Sequence, residues 1–211
     1  MKNKPKMITL LLVTIVTLAR AAPAFGNAVF TLRNQPQPNE QHILFTTDQT
    51  GSTVNGFTRQ TNTLVQFFST TDTLVVASAG PAKITAADGF VNDITITVPG
   101  ALFADFILNP LKPTNNHDLM IVVTMSDNSV FNFGLYGSIH GNNFLTITTS
   151  SGELIKSVTV DSVGGFGDLR EPRISGIVLV SESSSLLLLG SGLLGLGGLL
   201  RRKLKGRNGN M

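Results

Sequence analysis

The side chains that most often carry catalysis or bind metals are scarce in this sequence. It contains three histidines and no cysteine, so a thiol nucleophile, a thiolate zinc site and a disulfide are excluded. His117 stands beside Asp118 and His140 follows Ser138 by two positions, but no HExxH, GxSxG or GxxxxGKS/T pattern surrounds them. The first pattern positions two zinc ligands, the second a serine nucleophile, and the third a loop that binds phosphate. We therefore expect no enzymatic activity.

Carboxylates near turns form the second group of side chains that could do chemistry. Asp88, Asp93 and Asp118 have asparagines nearby, and carboxylate and amide oxygens are ligands that Ca²⁺ accepts. Their spacing is unlike that of an EF-hand loop, so the three are weak candidates for a calcium site. With Asp105 they could instead supply the acid and base of a jelly-roll hydrolase, which needs two carboxyl groups about 5 to 9.5 Å apart.

Two adjoining segments carry glycines and charges. Residues 164–167 read Gly-Gly-Phe-Gly, but they lack the flanking strand and helix that aim backbone N–H groups at a phosphate, so we expect a flexible turn. The charges that follow are expected to form a solvated ion-pair patch worth little to stability. They are Asp168, Arg170, Glu171 and Arg173.

The elements that must position these residues are β-strands. Between residues 27 and 180 apolar and polar side chains alternate; in one segment Ile94, Ile96 and Val98 share a face. About eleven such segments, separated by turn residues and without a convincing amphipathic helix, predict an all-β body of the antiparallel β-sandwich, jelly-roll-like type. The predicted strands are 42–46, 63–68, 73–78, 82–85, 93–98, 103–108, 118–125, 130–136, 143–149, 154–161 and 174–180.

Residues 1–26 have the three-part order of a secretory signal peptide. The basic start MKNKPK precedes the uncharged run MITLLLVTIVTL and then a stretch of small residues. That run is shorter than the roughly 17 to 25 residues of a membrane helix, which favours export with cleavage by signal peptidase. Small side chains place the cut after Gly26 or after Ala24.

The C-terminal segment, residues 181–211, is predicted to enter a membrane. Residues 183–200 are uncharged and rich in leucine and glycine, and as a helix they span roughly 27 Å, so we expect a transmembrane helix at 184–200. A basic end at 201–207 follows and would stay in the cytoplasm, leaving the body, 27–180, outside. The cluster comprises Arg201, Arg202, Lys203 and Lys205.

The net charge of +3 belongs to the two ends of the chain. Between residues 27 and 180 twelve carboxylates stand against seven basic side chains. A body of this charge repels polyanions, so no nucleic-acid partner is expected.

The C-terminal segment resembles the PEP-CTERM sorting signal, which joins a short acidic motif, a Leu/Gly-rich membrane segment and an arginine cluster. The residues that correspond to the motif are Val180, Ser181, Glu182, Ser183, Ser184 and Ser185. Serines stand at 181 and 183, where the family has prolines that fix φ and remove an N–H. The resemblance implies processing by exosortase, a membrane protease, in a Gram-negative bacterium. Without the prolines the tail is either still cleaved or serves as a plain anchor.

Residues 141–177 are similar to the closing strands of a domain found in PEP-CTERM proteins, which supports the sandwich without naming a ligand. The leading hypothesis is an exported, non-enzymatic surface or extracellular-matrix protein, membrane-anchored before processing, with extracellular polysaccharide as a candidate partner. The alternatives are a secreted glycan- or calcium-binding jelly-roll module and, less favoured, a jelly-roll hydrolase. No cofactor is required, and Ca²⁺ is the one candidate.

Overall fold

The computed structural model describes residues 27–78, 82–113, 118–135, 144–150 and 152–180, which form β-strands joined by turns and no helix. Within these ranges nothing helical is long and apolar enough to cross a bilayer. The predicted signal peptide, the motif residues after Val180, the membrane helix and the basic cluster lie outside the described residues. The strands are β1 (Ala28–Thr31), β2 (Gln41–Leu44), β3 (Gln49–Gly51), β4 (Thr53–Thr58), β5 (Leu64–Phe68), β6 (Leu74–Val76), β7 (Lys83–Ala86), β8 (Val91–Thr97), β9 (Ala101–Leu102), β10 (Asp105–Pro113), β11 (Leu119–Met125), β12 (Val130–Leu135), β13 (Leu145–Thr149), β14 (Ile155–Ser175) and β15 (Val178–Leu179).

The alternation seen in the sequence builds the core. In β8, Ile94 and Ile96 are fully buried, while Thr95 between them is half-buried and shares a 2.8 Å hydrogen bond with Thr159 of β14. The same pattern in the other strands turns one face of each inward, so a single hydrophobic core lies between the layers. The prediction of an all-β, antiparallel sandwich is confirmed for the described body. The largest fully buried side chains include Phe67, Phe103, Phe106 and Phe166.

One strand, β14, organises the molecule because it pairs with five others, all antiparallel. Its first arm, 155–161, lies between β8 and β11. Its second arm, 166–175, has β10 along one edge and first β7, then β2, along the other. Pairing runs from β14 through β8, β5, β4 and β2 back to β14, so these five strands form a closed ring.

The two arms of β14 are separated by a bulge at residues 162–165. β14 advances from Asp161 to Phe166 while the paired strand β8 advances by only two residues, so the extra residues of β14 are pushed out of the ladder. Gly165 has φ +71 in this bulge, and a Cβ placed there would lie 2.9 Å from the Cβ of Phe90. Both the backbone angle and the lack of room require glycine at this position.

The prediction of a flexible turn at 164–167 is wrong. Gly164 and Gly165 lie in the bulge, but Phe166 pairs with Pro113 and Asp168 with Leu111, so the β14 ladder resumes directly after them. The prediction of separate strands at 154–161 and 174–180 fails for the same reason, since the strand continues through the bulge to Ser175. The glycines bend this strand without ending it.

The two ends of the body lie close together. The backbone N–H of Asn27 donates to Glu153 at 2.8 Å, and Ile155, two residues further on, is bridged to Phe103. Phe103 directly follows β9, which pairs with β15, and the chain leaves β15 at Val180. The chain therefore enters and leaves the body at the end opposite the 162–165 bulge.

Candidate functional site

A cleft opens along the edge of β14 where that edge changes its hydrogen-bonding partner. Arg170 pairs with Lys83 of β7, whereas Arg173 pairs with His42 of β2. β7 and β2 do not pair with each other, so neither strand has a residue in register with Glu171 or Pro172 on this edge. The cleft is a product of this exchange of partners.

The backbone at the exchange point is strained. β14 advances by three residues, from Arg170 to Arg173, while β10 on its other edge advances by two, which defines a second bulge at Glu171 and Pro172. Glu171 has φ +47, a left-handed conformation that costs a non-glycine residue about 1–2 kcal/mol. Its N–H still donates to the carbonyl of Ala82 at 2.9 Å. Backbone strain of this kind is often found at functional sites.

The cleft has a volume of about 330 Å³ and is partly open to solvent. Among the described residues Ala82, Lys83, Arg170 and Glu171 line it, and we call it the charged cleft. Its wall combines two cations and a carboxylate, whereas Ala82 is 5% exposed and packs in the hydrophobic core.

A buried carboxylate holds the two cations in place. The Asp168 side chain is 4% exposed, and both of its oxygens accept from Arg170, with Nε to Oδ1 at 2.7 Å and Nη2 to Oδ2 at 2.9 Å. The Nζ of Lys83 lies 3.2 Å from the same carboxylate. The hydrogen bond to Asp168 raises the pKa of Arg170, burial opposes this, and the charges of Asp168 and Glu171 add to it. The guanidinium plane is therefore fixed and charged at the cleft wall.

A second charged network lies beyond Glu171. Arg173 is buried, its Nη1 donates to Glu40 at 2.9 Å and to Asn34 at 3.3 Å, and its guanidinium lies 5.2 Å from the ring centre of Phe144. Its Nη2 is 3.7 Å from Glu171, which joins the two networks. The Nε of Arg173 is buried without a hydrogen-bond partner. A buried donor left unpaired costs about 1–3 kcal/mol of free energy.

The prediction of a solvated ion-pair patch at 168–173 is wrong for two of its four residues. Asp168 is 3% exposed and Arg173 is 7% exposed, whereas Arg170 and Glu171 face solvent. Burial follows from the flanking strands, since β10 covers one edge of β14 and β7 and β2 cover most of the other. Lys83, which sequence reasoning missed, reaches the site only through the pairing of β7 with β14.

The predicted metal candidate Asp93 has a structural role in the described body. Its carboxylate accepts hydrogen bonds from the hydroxyls of Ser69, Thr70 and Thr71 and from the backbone N–H groups of Thr70 and Thr71. Burial opposes ionisation, but the bonds from Thr71, Ser69 and Thr70 outweigh it and lower the pKa of Asp93 to about 2. The chain from 69 to 72 is thereby fastened to the start of β8.

Asp72 completes this fastening and was not predicted. Its carboxylate accepts from the N–H of Asn92 at 2.7 Å and from the side-chain amide of Asn92 at 2.9 Å. The Oγ of Ser69 donates to Asp93 at 2.7 Å and approaches Asp72 at 3.4 Å, so it lies between the two carboxylates. A Ser-Thr-Thr-Asp run directly after a strand, typical of side-chain-bonded turns, was the available signal.

Asp88 and Asp105, two of the other predicted carboxylates, have separate hydrogen-bond partners. Asp88 accepts from the N–H of Phe90 at 3.1 Å, Asp105 accepts from the hydroxyl of Ser175 at 2.7 Å, and Asp118 is exposed just before β11. Within the described residues no group of three histidine, cysteine, aspartate or glutamate side chains is placed to hold a metal ion. His117, His140 and Ser138 lie outside the described residues. The calcium site stays a prediction.

Comparison with known proteins gives a limited result. No protein-family model matches the chain, and no curated protein matches its sequence. Matches among solved structures include two mutants of the carbohydrate-binding module CBM29-2, each 10% identical, with TM-scores of 0.26 and 0.25, covering 73% and 72% of this chain and 91% of theirs. A structure of "Carbohydrate binding module family29" is 12% identical with a TM-score of 0.19, covering 73% of this chain and 88% of that one. At these scores the likeness carries no argument, so the fold assignment rests on the strand pairing described above.

Proposed function

We propose that this chain is an exported, non-enzymatic surface or extracellular-matrix protein whose β-sandwich binds saccharide at the charged cleft. The tail, 181–211, delivers it as a PEP-CTERM-like sorting signal and anchors it to the membrane before processing. The observation that carries the binding role is the fixed pairing of Arg170 and Lys83 with buried Asp168 at the wall of an open cleft.

The chemistry of the cleft suits a polyhydroxylated ligand. Each sugar hydroxyl both donates and accepts, and the wall offers ammonium and guanidinium donors beside the carboxylate acceptor of Glu171. Because Asp168 already fixes Arg170, the donors lose little conformational freedom when a ligand binds. The names of the similar solved structures mention carbohydrate, but the proposal stands on the cleft.

The absence of turnover is part of the proposal. Hydrogen bonds from Ser69, Thr70 and Thr71 hold the pKa of Asp93 far below neutrality, so this carboxylate is a poor general acid at neutral pH. Asp105, the other carboxylate considered for hydrolysis, accepts from Ser175 at one end of β14. These carboxylates stabilise turns and strand ends.

The binding role is tested by titrating the detergent-solubilised full chain with a panel of neutral and acidic bacterial polysaccharides in a calorimeter. We expect at least one to bind, and Lys83→Gln to weaken it about tenfold, the usual effect of losing a hydrogen bond from a charged group. Lys83 is 55% exposed, so the substitution leaves the core untouched.

The matched control is Lys156→Gln. Lys156 is an exposed lysine on the first arm of β14, away from the cleft, where it donates to Asn128 at 2.9 Å. The Lys156→Gln substitution removes the same charge and should leave the affinity for polysaccharide unchanged. Absence of heat with every polysaccharide, or an equal loss of affinity in both variants, would refute the cleft as a saccharide site.

A further inference from the structure

The last described residues form an apolar strip without cover. Val178, Leu179 and Val180 are 49%, 77% and 50% exposed, and we call them the exit strip. Because successive side chains of a strand point to opposite faces, exposure of all three means that neither face of β15 is packed on the body. Apolar surface concentrated in this way usually marks a place that is covered in the functional state.

The exit strip is held in place on the body. β15 pairs with β9 through Val178 opposite Leu102 and Leu179 opposite Ala101. The N–H of Val180 donates to the carbonyl of Gly100 at 2.9 Å, so the ladder extends to the last described residue. The strip is thus a defined feature of the surface at the end where the chain enters and leaves the body.

The sequence after the strip limits how far it can stand from a membrane. Five residues, 181–185, separate Val180 from the leucine run that begins at Leu186. Even fully extended, the six steps from Val180 to Leu186 span about 20 Å. The headgroup region on each side of the hydrocarbon core takes up roughly 5–8 Å of that distance. The body is therefore confined near the lipid surface whenever the leucine run lies in the bilayer.

We propose that the exit strip docks on the outer surface of the lipid bilayer, with its three side chains among the headgroups. The proposal rests on the membrane anchoring by residues 184–200 put forward above. Docking places the end of the body that carries Asn27 and Val180 against the membrane. It turns the 162–165 bulge, about 25 Å along the first arm from Ile155, away from the membrane.

A bilayer fits the strip better than a second copy of the chain does. The strip is only three residues long, whereas a stable protein interface buries about 800 Å² on each partner. Insertion of a few apolar side chains at the interface needs no such area when a covalently attached segment already holds the protein there.

The test uses the lack of tryptophan in the chain. Leu179→Trp gives a single reporter in the full chain, reconstituted into vesicles of phosphatidylglycerol and phosphatidylcholine, with or without bromine on the phosphatidylcholine acyl chains. We expect brominated lipid to remove roughly half or more of the emission of this tryptophan, since interfacial side chains lie about 5–10 Å into the headgroup and acyl boundary. Circular dichroism should match that of the unsubstituted chain because position 179 is exposed.

The matched control is Val163→Trp, at the 97% exposed position in the bulge, whose emission should be insensitive to bromine. Replacing Val178 and Val180 by aspartate in the Leu179→Trp chain should lower the quenching to the level of this control. Flotation with the vesicles is measured on every sample. A chain that floats but shows equal quenching at both positions overturns docking and leaves the anchor intact, whereas a chain that does not float overturns the anchor. Emission of the Leu179→Trp chain that shifts with the protein-to-lipid ratio and ignores bromine would assign the strip to a second copy and overturn the proposal.

Discussion

Asp93 illustrates how a side chain chosen for its chemistry turns out to serve the fold. Three consecutive hydroxyl side chains, Ser69 to Thr71, donate to its carboxylate, and Asp72 of the same segment accepts from Asn92 beside it. The loop therefore donates hydrogen bonds to Asp93 of β8, and β8 donates hydrogen bonds to Asp72 of the loop. Both carboxylates fasten the loop to the start of β8. Acidic residues at turns usually have this role.

Stability should fall in acid because of Asp93. Its pKa is lowered from 3.8 to about 2, so its stabilisation is present above pH 3.8 and is lost as the pH falls through about 2. The group is partly solvated, which reduces the effect to the order of 1 kcal/mol. Asp93→Asn should lower the free energy of unfolding at pH 7 and flatten its decline across that acid range, as measured by urea titration at several pH values.

Asp88→Asn is the control for this experiment, since Asp88 makes one exposed hydrogen bond to the N–H of Phe90. It should change the unfolding free energy less than Asp93→Asn at pH 7. Identical acid profiles for the Asp93→Asn and unsubstituted proteins would show that the hydroxyl cluster does not stabilise the charged form.

At the scale of elements, β14 explains both what the sequence predicts and what it misses. In its first arm Val158 and Val160 are buried on either side of half-buried Thr159, and the prediction of a strand at 154–161 is close to the observed arm. The second arm begins with glycines and charged residues, whose local sequence preference is for a turn. It is a strand because β10, β7 and β2, from distant parts of the chain, pair with it. The charged cleft was missed for the same reason, because Lys83 and Asp168 meet only through cross-strand pairing.

The bulge of β14 can be tested at Gly165. Gly165→Ala combines a left-handed backbone at φ +71 with a Cβ only 2.9 Å from the Cβ of Phe90, so we expect a loss of about 2–4 kcal/mol. The comparison is Gly152→Ala, where φ is +77 and no atom lies within 4 Å of the added Cβ, with an expected loss of about 1–2 kcal/mol. The unfolding free energy from denaturant titration measures both. Equal losses at the two positions would mean that the close approach at Phe90 costs nothing.

For the whole molecule, the distribution of charge and the positions of the two chain ends belong together. The basic residues beyond the body flank two apolar segments, and the body between them is acidic. Asn27 and Val180 leave from the same end of the sandwich, so an N-terminal export signal and a C-terminal anchor can address one membrane without crossing the body. This geometry is compatible with the proposed route but could not be derived from sequence alternation alone.

The proposed route makes a prediction about intact mass. In cells with an exosortase, the released species should begin after Ala24 or Gly26 and end within the motif 181–185. In cells lacking the protease, the chain should keep its C-terminus at Met211 and stay in the membrane fraction. The same mass and the same membrane attachment in both strains would reject sorting and leave a plain anchor.

The closed ring of strands also bears on self-association. A protein concentrated at a cell surface or in a matrix is exposed to strand addition, in which the free edge of one sheet templates pairing with the next molecule. Each of the five strands in the ring through β14 is hydrogen-bonded on both sides over part of its length, so none of the five offers a long free edge. Strand addition would then have to start outside the ring, at an edge such as β12, which among the described residues pairs with β11 alone.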